Sequence, residues 1–186
     1  ADTLLASAES FSITLPNDGQ FSYTLDKGTL QGLVDNGGAI LADGGRVVLT
    51  TKGIDTVKKS IIKHSGVIEA NTIKNNNGVI ELLGDLDNSE LHLTGTLKAE
   101  GKGTDDGGFI ETSAAKLNID DQAHISTQSE QGKTGTWLID PKDFTVAPKG
   151  GDTTGAKVSQ GLQNNNVQLK SKSGAKDGKG DVLSLI

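Results

Sequence analysis

Short apolar clusters of four to five residues recur along the chain, separated by glycine or polar residues. Within a cluster, apolar and polar positions alternate, as at Leu117, Asn118 and Ile119. That period of two marks a strand buried on one face. Taken in order, the clusters form three series. The first is Ala39 to Asp43, Val67 to Asn71, Leu97 to Gly101 and Ile125 to Ser129, with starts 28, 30 and 28 residues apart. The second is Val47 to Thr51, Val79 to Leu83, Phe109 to Ser113 and Trp137 to Pro141, spaced by 32, 30 and 28. The third is Leu91 to Thr94, Leu117 to Asp120 and Phe144 to Ala147, spaced by 26 and 27. Three interleaved series with one shared period describe a solenoid, in which three strands make a coil of about 28 residues. Each strand then pairs in parallel with its equivalent in the next coil, and inward residues line up in apolar rows.

Gly44-Gly45, Asn75-Asn76-Asn77, Gly84-Asp85, Gly107-Gly108 and Gly132 supply the turns. A sandwich of antiparallel hairpins is the competing architecture. Asn36-Gly37, Asn77-Gly78 and Asp106-Gly107 would suit its tight turns, but a sandwich requires no shared period. The expected fold is all-β: a parallel β-helix with three strands per coil and short helical excursions. Ile54 to His64 has apolar residues at 54, 57, 61 and 62, which is helical spacing, and Thr29 to Val34 reads as a short helical turn.

Residues 1–35 are expected to form a hairpin or an irregular first coil, because Phe11 to Leu15 and Phe21 to Leu25 alternate on either side of Pro16-Asn17-Asp18-Gly19. The coils fill residues 36–170. Residues 171–186 read as a loop, Gly174 to Gly180, and the start of a further coil at Asp181.

Composition changes this picture little. Hydrophobic residues are 33%, aromatics 3% and glycines 25 in number, a balance that would indicate disorder if the apolar residues were scattered. Arranged in rows, small β-branched side chains fill a narrow core. A net charge of −6 and a pI near 5.0 argue against a nucleic-acid surface. The lysines at 170, 172, 176 and 179 read as a solvated tail. There is no run of 18 apolar residues, so no membrane-spanning helix is expected, and no basic-then-apolar opening of a secretory signal. The absence of Cys excludes disulfides and thiol chemistry, and the absence of Met marks the chain as a piece of a longer product.

Several stretches resemble the filamentous haemagglutinin-like exoproteins of two-partner secretion. They are Gly44 to Thr50, Ser65 to Ala70, Asn77 to Asp85, Gly107 to Ser113 and Gly135 to Pro141, in matching order and separation. The resemblance covers roughly residues 20 to 170. It implies a right-handed β-helix in a very long protein at the bacterial surface or released from it. Export would run through an outer-membrane transporter partner. The family's members act as adhesins towards host cells or other bacteria, as carriers of contact-dependent toxins, or in haem acquisition. The Asn-Pro-Asn-Gly motif of the family's secretion domain is absent, so the chain resembles the region that follows that domain.

Solenoids of this shape also include polysaccharide-active enzymes, which cluster carboxylates and basic groups on one face. The acids available are Asp85, Asp87 and Glu90, then Asp105 and Asp106, then Asp120 and Asp121, but Arg46 is the one arginine. Adjacent acids at turns are more often turn formers, and no catalytic site is expected. His64, His92 and His124 lie in separate segments without metal-ligand spacing, so neither a metal nor a cofactor is expected. The candidate ligand contacts are Glu81, Glu111 and Trp137. Glu81 and Glu111 fall at equivalent positions one coil apart. If Ile80 and Ile110 point inward, both carboxylates stack outward, with Lys98 or Lys116 at hand to neutralise them. Glu81→Ala is then expected to be nearly silent. Trp137 could stack on a glycan, although its alternating strand favours a place in the core. The function expected is a structural or adhesive module; a glycan- or haem-binding module and a polysaccharide-active enzyme are the alternatives.

Overall fold

The computed structural model describes residues 1–15, 21–54, 58–74, 76–171 and 181–185. The Pro16 to Gly19 turn and the Gly174 to Gly180 loop expected from sequence lie outside these residues. The chain winds as a parallel β-solenoid. Its first coil holds β1 (Thr3–Ser7), a projecting hairpin of β2 (Ser10–Thr14) and β3 (Ser22–Lys27), then β4 (Leu33–Asn36) and β5 (Ala39–Leu41). The second coil is β6 (Arg46–Thr51), β7 (Ser60–His64) and β8 (Val67–Glu69). The third is β9 (Val79–Leu83), β10 (Ser89–Leu93) and β11 (Thr96–Lys98), and the fourth β12 (Phe109–Ser113), β13 (Lys116–Ile119) and β14 (His124–Ser126). The fifth opens with β15 (Thr136–Ile139), but α1 (Gly155–Asn164) replaces its last strand. β16 (Asn166–Ser171) and β17 (Asp181–Leu185) follow.

Equivalent strands stack into three sheets. The first has seven strands in the order β1-β6-β9-β12-β15-β16-β17; the second is β4-β7-β10-β13 and the third β5-β8-β11-β14. All pairings within these sheets are parallel except β16 with β17. β17 thus turns back along β16 as a hairpin, where the sequence pattern expects the opening of a further coil.

The core is a set of ladders. Val47, Ile80, Ile110, Trp137 and Val167 form one on the first sheet, Val34, Ile62, Leu91 and Leu117 one on the second, and Ile40, Ile68, Leu97 and Ile125 one on the third. All but Ile40 are buried. Gly45, Gly78, Gly108 and Gly135 stand just before successive strands of the first sheet. A Cβ on Gly108 would lie 2.1 Å from the Gly78 carbonyl oxygen, and one on Gly135 2.1 Å from that of Gly108. Coils can therefore stack this closely only where the corner carries no side chain.

Three details of the sequence reading are corrected. The series aligned Val47 with Val79 and Phe109, but the true partners of Val47 are Ile80, then Ile110. Val79 and Phe109 are apolar yet half-buried on the outer face, so their clusters begin one residue early. The expected excursions at residues 29–34 and 54–64 are also overturned where they are described, because Leu33–Asn36 and Ser60–His64 are strands; residues 55–57 lie outside the described residues. They supply the first two rungs of the third series. The adjacent pair Ile61-Ile62 imitates helical spacing, although only Ile62 enters the core while Ile61 is half-buried outside. Phe144 to Ala147 forms no strand of the second sheet, and only Val146 bridges, to Thr153.

The helix sits elsewhere, as a lid on the end of the third sheet. Its N-cap is Thr154, whose hydroxyl accepts from Lys157 N at 3.1 Å. Lys157 Nζ bonds the Ala123 carbonyl, and Asn165 Nδ2 donates to the Ile125 carbonyl at 2.9 Å. Side chains thus occupy the carbonyls that a next strand would have taken.

Candidate functional site

Alternation turns Arg46, Val48, Glu81, Glu111 and Leu138 to the outer face of the first sheet. Glu81 pairs in register with Val48 on one side and Glu111 on the other. The hairpin β2–β3 lies over this face, which is why the outward Val48 is fully buried. Arg46 is the clamp. Its Nε and Nη2 reach Glu81 Oε2 at 2.6 and 2.5 Å, Nη1 donates to the Phe21 carbonyl at 3.4 Å, and its guanidinium stands 5.8 Å from the ring centres of both Phe21 and Tyr23. Lys52 Nζ adds a bond to the Leu25 carbonyl at 2.6 Å. Arg46, rather than Lys98 or Lys116, therefore neutralises Glu81; Lys98 instead faces Glu69 at 3.5 Å.

Glu111 has no such cation within bonding distance among the described residues. Its carboxylate accepts from Ser113 Oγ at 2.6 Å. Burial pushes its pKa up, and the nearby Glu81 and Asp140 push the same way. Burial likewise raises the Tyr23 phenol. These differences separate the two stacked glutamates. Glu81→Gln leaves a mostly buried guanidinium unpaired and is expected to cost about 1.5–3 kcal/mol, read from urea unfolding. Glu81→Ala leaves the same guanidinium unpaired, so a comparable loss replaces the near-silent outcome expected for it from sequence. Glu111→Gln is expected to be neutral or stabilising at pH 7, because it removes a charge whose burial is unfavourable.

Trp137 is the third sequence candidate. Its indole is 1% exposed, Nε1 donates to Thr112 Oγ1 at 3.2 Å, and α1 packs against it. The ring fills the end of a core ladder and is not offered to a ligand.

The histidines do not converge. His64 is buried in the second sheet, where Nε2 donates to the Thr96 carbonyl at 3.0 Å and Nδ1 accepts from Asn36 Nδ2 at 3.2 Å. Both ring nitrogens are engaged in the neutral form. Burial lowers its pKa from the ordinary value near 6.5. The folded state resists a proton that the unfolded chain accepts, so His64 contributes stability that is full above about pH 6.5 and is lost as pH falls towards the lowered folded pKa. The melting temperature is expected to drop across that window, and His64→Leu should flatten the drop. His92 lies on the outside of β10, 3.2 Å from Glu90, and His124 on β14 of a different sheet. Among the described residues no group of three or more His, Asp or Glu could hold a metal.

Asp85 and Asp120 behave as turn formers: Asp85 Oδ1 accepts from the amides of Asp87 and Asn88, and Asp120 Oδ1 from Gln122 N. Asp106 Oδ1 instead ties adjacent coils together by accepting from Lys133 N. Glu90 is held by Lys59. A cleft of about 350 Å³ opens beside the second sheet, between His92 and Asn118 on its outer face and residues 147–154. Sequence reading missed this recess, which depends on residues 141–154 leaving the strand pattern.

No protein-family profile matches the chain, and no solved structure matches it. It is similar to a heme/hemopexin-binding protein of Haemophilus influenzae, 38% identical over 96 residues, which is 52% of this chain and 10% of that protein. The chain thus spans about a tenth of the relative's length.

Proposed function

We propose that the chain is a non-catalytic, ligand-presenting segment of a much longer bacterial protein, secreted or held at the cell surface, of the two-partner secretion kind. Its role is attachment to a macromolecule of host or bacterial origin. The observation that carries this reading is the stacking itself: register pairing repeats equivalent outward positions along three faces, which suits an extended contact with a large partner. The parent protein's route outward is an outer-membrane transporter, as the resemblance implies.

The named binding activity of the similar Haemophilus influenzae protein makes a host haem carrier the first partner to test. The arrangement of the histidines favours a carrier protein over free haem, since both nitrogens of His64 are engaged and His92 and His124 belong to different sheets. The reading without a catalytic role is supported by the backbone bonds that engage the candidate acids, within turns at Asp85 and Asp120 and between coils at Asp106.

The test is a binding panel on the purified, folded chain: haem-free and haem-loaded hemopexin, free haem, and a glycan array. Saturable binding to hemopexin or to one defined glycan is expected. A folded sample silent across the panel would make the segment a passive spacer. Turnover of an anionic polysaccharide with new unsaturated ends would establish the enzyme reading instead.

A further inference from the structure

The corner between the first and second sheets carries small polar side chains that point inward. In the third coil this corner is complete: Ser89 Oγ donates to the Asp85 carbonyl at 2.6 Å and accepts from Ala115 N at 3.2 Å. Ser60 is the register partner of Ser89 one coil earlier and is equally enclosed, at 0% exposure. Its hydroxyl, however, has no partner among the described residues. Thr51 Oγ1 is in the same condition with its residue 2% exposed, and so is Asp85 Oδ2.

These three oxygens surround two glycines. A Cβ on Gly32 would lie 2.0 Å from Thr51 Oγ1 and 3.1 Å from Ser60 Oγ; one on Gly53 would lie 2.7 Å from Ser60 Oγ and 3.8 Å from Asp85 Oδ2. The absence of a side chain at Gly32 and Gly53 lets the three oxygens crowd into one corner, and none bonds to another. Buried polar atoms are almost always paired, so a group of three at one corner calls for a bound species.

We infer that this corner is a binding site for an internal water, bonded to Thr51 Oγ1, Ser60 Oγ and Asp85 Oδ2, which joins the second coil to the third. The count of hydrogens selects water over a cation. Each hydroxyl carries a proton that needs an acceptor, whereas the ionised carboxylate offers only lone pairs. A hard cation would use lone pairs from all three oxygens and leave two buried O–H groups without acceptors. Water accepts from both hydroxyls and donates to the carboxylate, and three bonds is the usual number for a buried water. It does for Ser60 what the Asp85 carbonyl does for Ser89, accepting the hydroxyl proton.

A crystal structure of the purified chain tests this, with a second crystal soaked in rubidium and manganese salts. The expected result is one density peak at hydrogen-bond distance from the three oxygens, roughly 2.6–3.2 Å, without anomalous signal after soaking. A crystal of Ser60→Ala should lose the peak, and that variant should melt a few degrees lower. An anomalous peak, or oxygen distances of about 2.3–2.6 Å, would make this a cation site and overturn the inference. So would a corner in which the three side chains bond one another, or a peak that persists unchanged in Ser60→Ala.

Discussion

Ile80→Asp is expected to unfold several adjacent coils at once, and Ile110→Asp to do the same. Both side chains are fully buried, and they are neighbours in the ladder that runs from Val47 to Val167. An aspartate there would meet Val47 and Ile110, or Ile80 and Trp137, with no cation in the row and the one side-chain donor, Trp137 Nε1, already given to Thr112 Oγ1. A carboxylate in apolar surroundings either ionises at a large desolvation cost or binds a proton and still lacks hydrogen-bond partners. Together with the lost burial, the penalty is on the order of 4–5 kcal/mol. That is comparable with the whole stability of many domains, typically about 5–15 kcal/mol. Coils contact only their neighbours, so damage spreads along the stack and does not stay local. Loss of the β signal in circular dichroism, or a collapse of the urea midpoint, is the readout. A near-native midpoint for either variant would place these side chains outside the core.

Trp137→Ala is the second large effect, expected at about 3–5 kcal/mol. The indole carries the ladder from Ile110 to Val167 and supports the helix that closes the stack. A Cβ on Gly161 would lie 2.8 Å from the ring, so helix and indole touch and removing the ring opens a void directly beneath the helix. Removing the ring also takes the donor from Thr112 Oγ1. Trp137→Phe keeps much of the volume and should cost less, which separates packing from the loss of the hydrogen bond. As the one tryptophan, Trp137 also reports on its own surroundings. Its emission should be blue-shifted in the folded chain and shift red on unfolding.

Most of the solenoid was legible because its signal is repetition. Ile68, Leu97 and Ile125 recur at nearly one spacing, and so do the glycines before β9, β12 and β15. Where the repeat carries extra residues, the pattern misled. The stretch from Lys52 to Lys59 pushes β7 out of phase, and Ile54, Ile61 and Ile62 together mimic a helical face. Ile54 is in fact 55% exposed while Ile62 is fully buried, so the two share no common face. The true helix was invisible for the opposite reason. Its buried residues are Lys157 and Gly161, not an apolar stripe, so its position follows from polar capping of β14 and from contact with Trp137. No periodicity rule reads such a helix.

The outer face was legible only in outline. Stacking of Glu81 on Glu111 follows from alternation once the phase of Ile80 and Ile110 is set. The Arg46 clamp does not, because it depends on a hairpin folding back across the sheet from residues far away in sequence. Phe11 and Ile13 remain half-exposed on that hairpin, at 50% and 46%. The cleft beside His92 and Asn118 was hidden for a similar reason, since its wall is an irregular segment whose path is fixed by the bonds between Thr145 and Asp152.

Residue-resolved hydrogen exchange on the purified chain is the most direct test of the stacked-coil architecture on which every other statement rests. Amides of β9 and β12, and of β8 and β11, lie between two paired neighbours and should exchange slowest and together, at the rate of global unfolding. Those of β2, which pairs on one side only, should exchange much sooner. Slow exchange concentrated in β2 and β3, with fast exchange through β9 to β12, would contradict the stack of parallel coils.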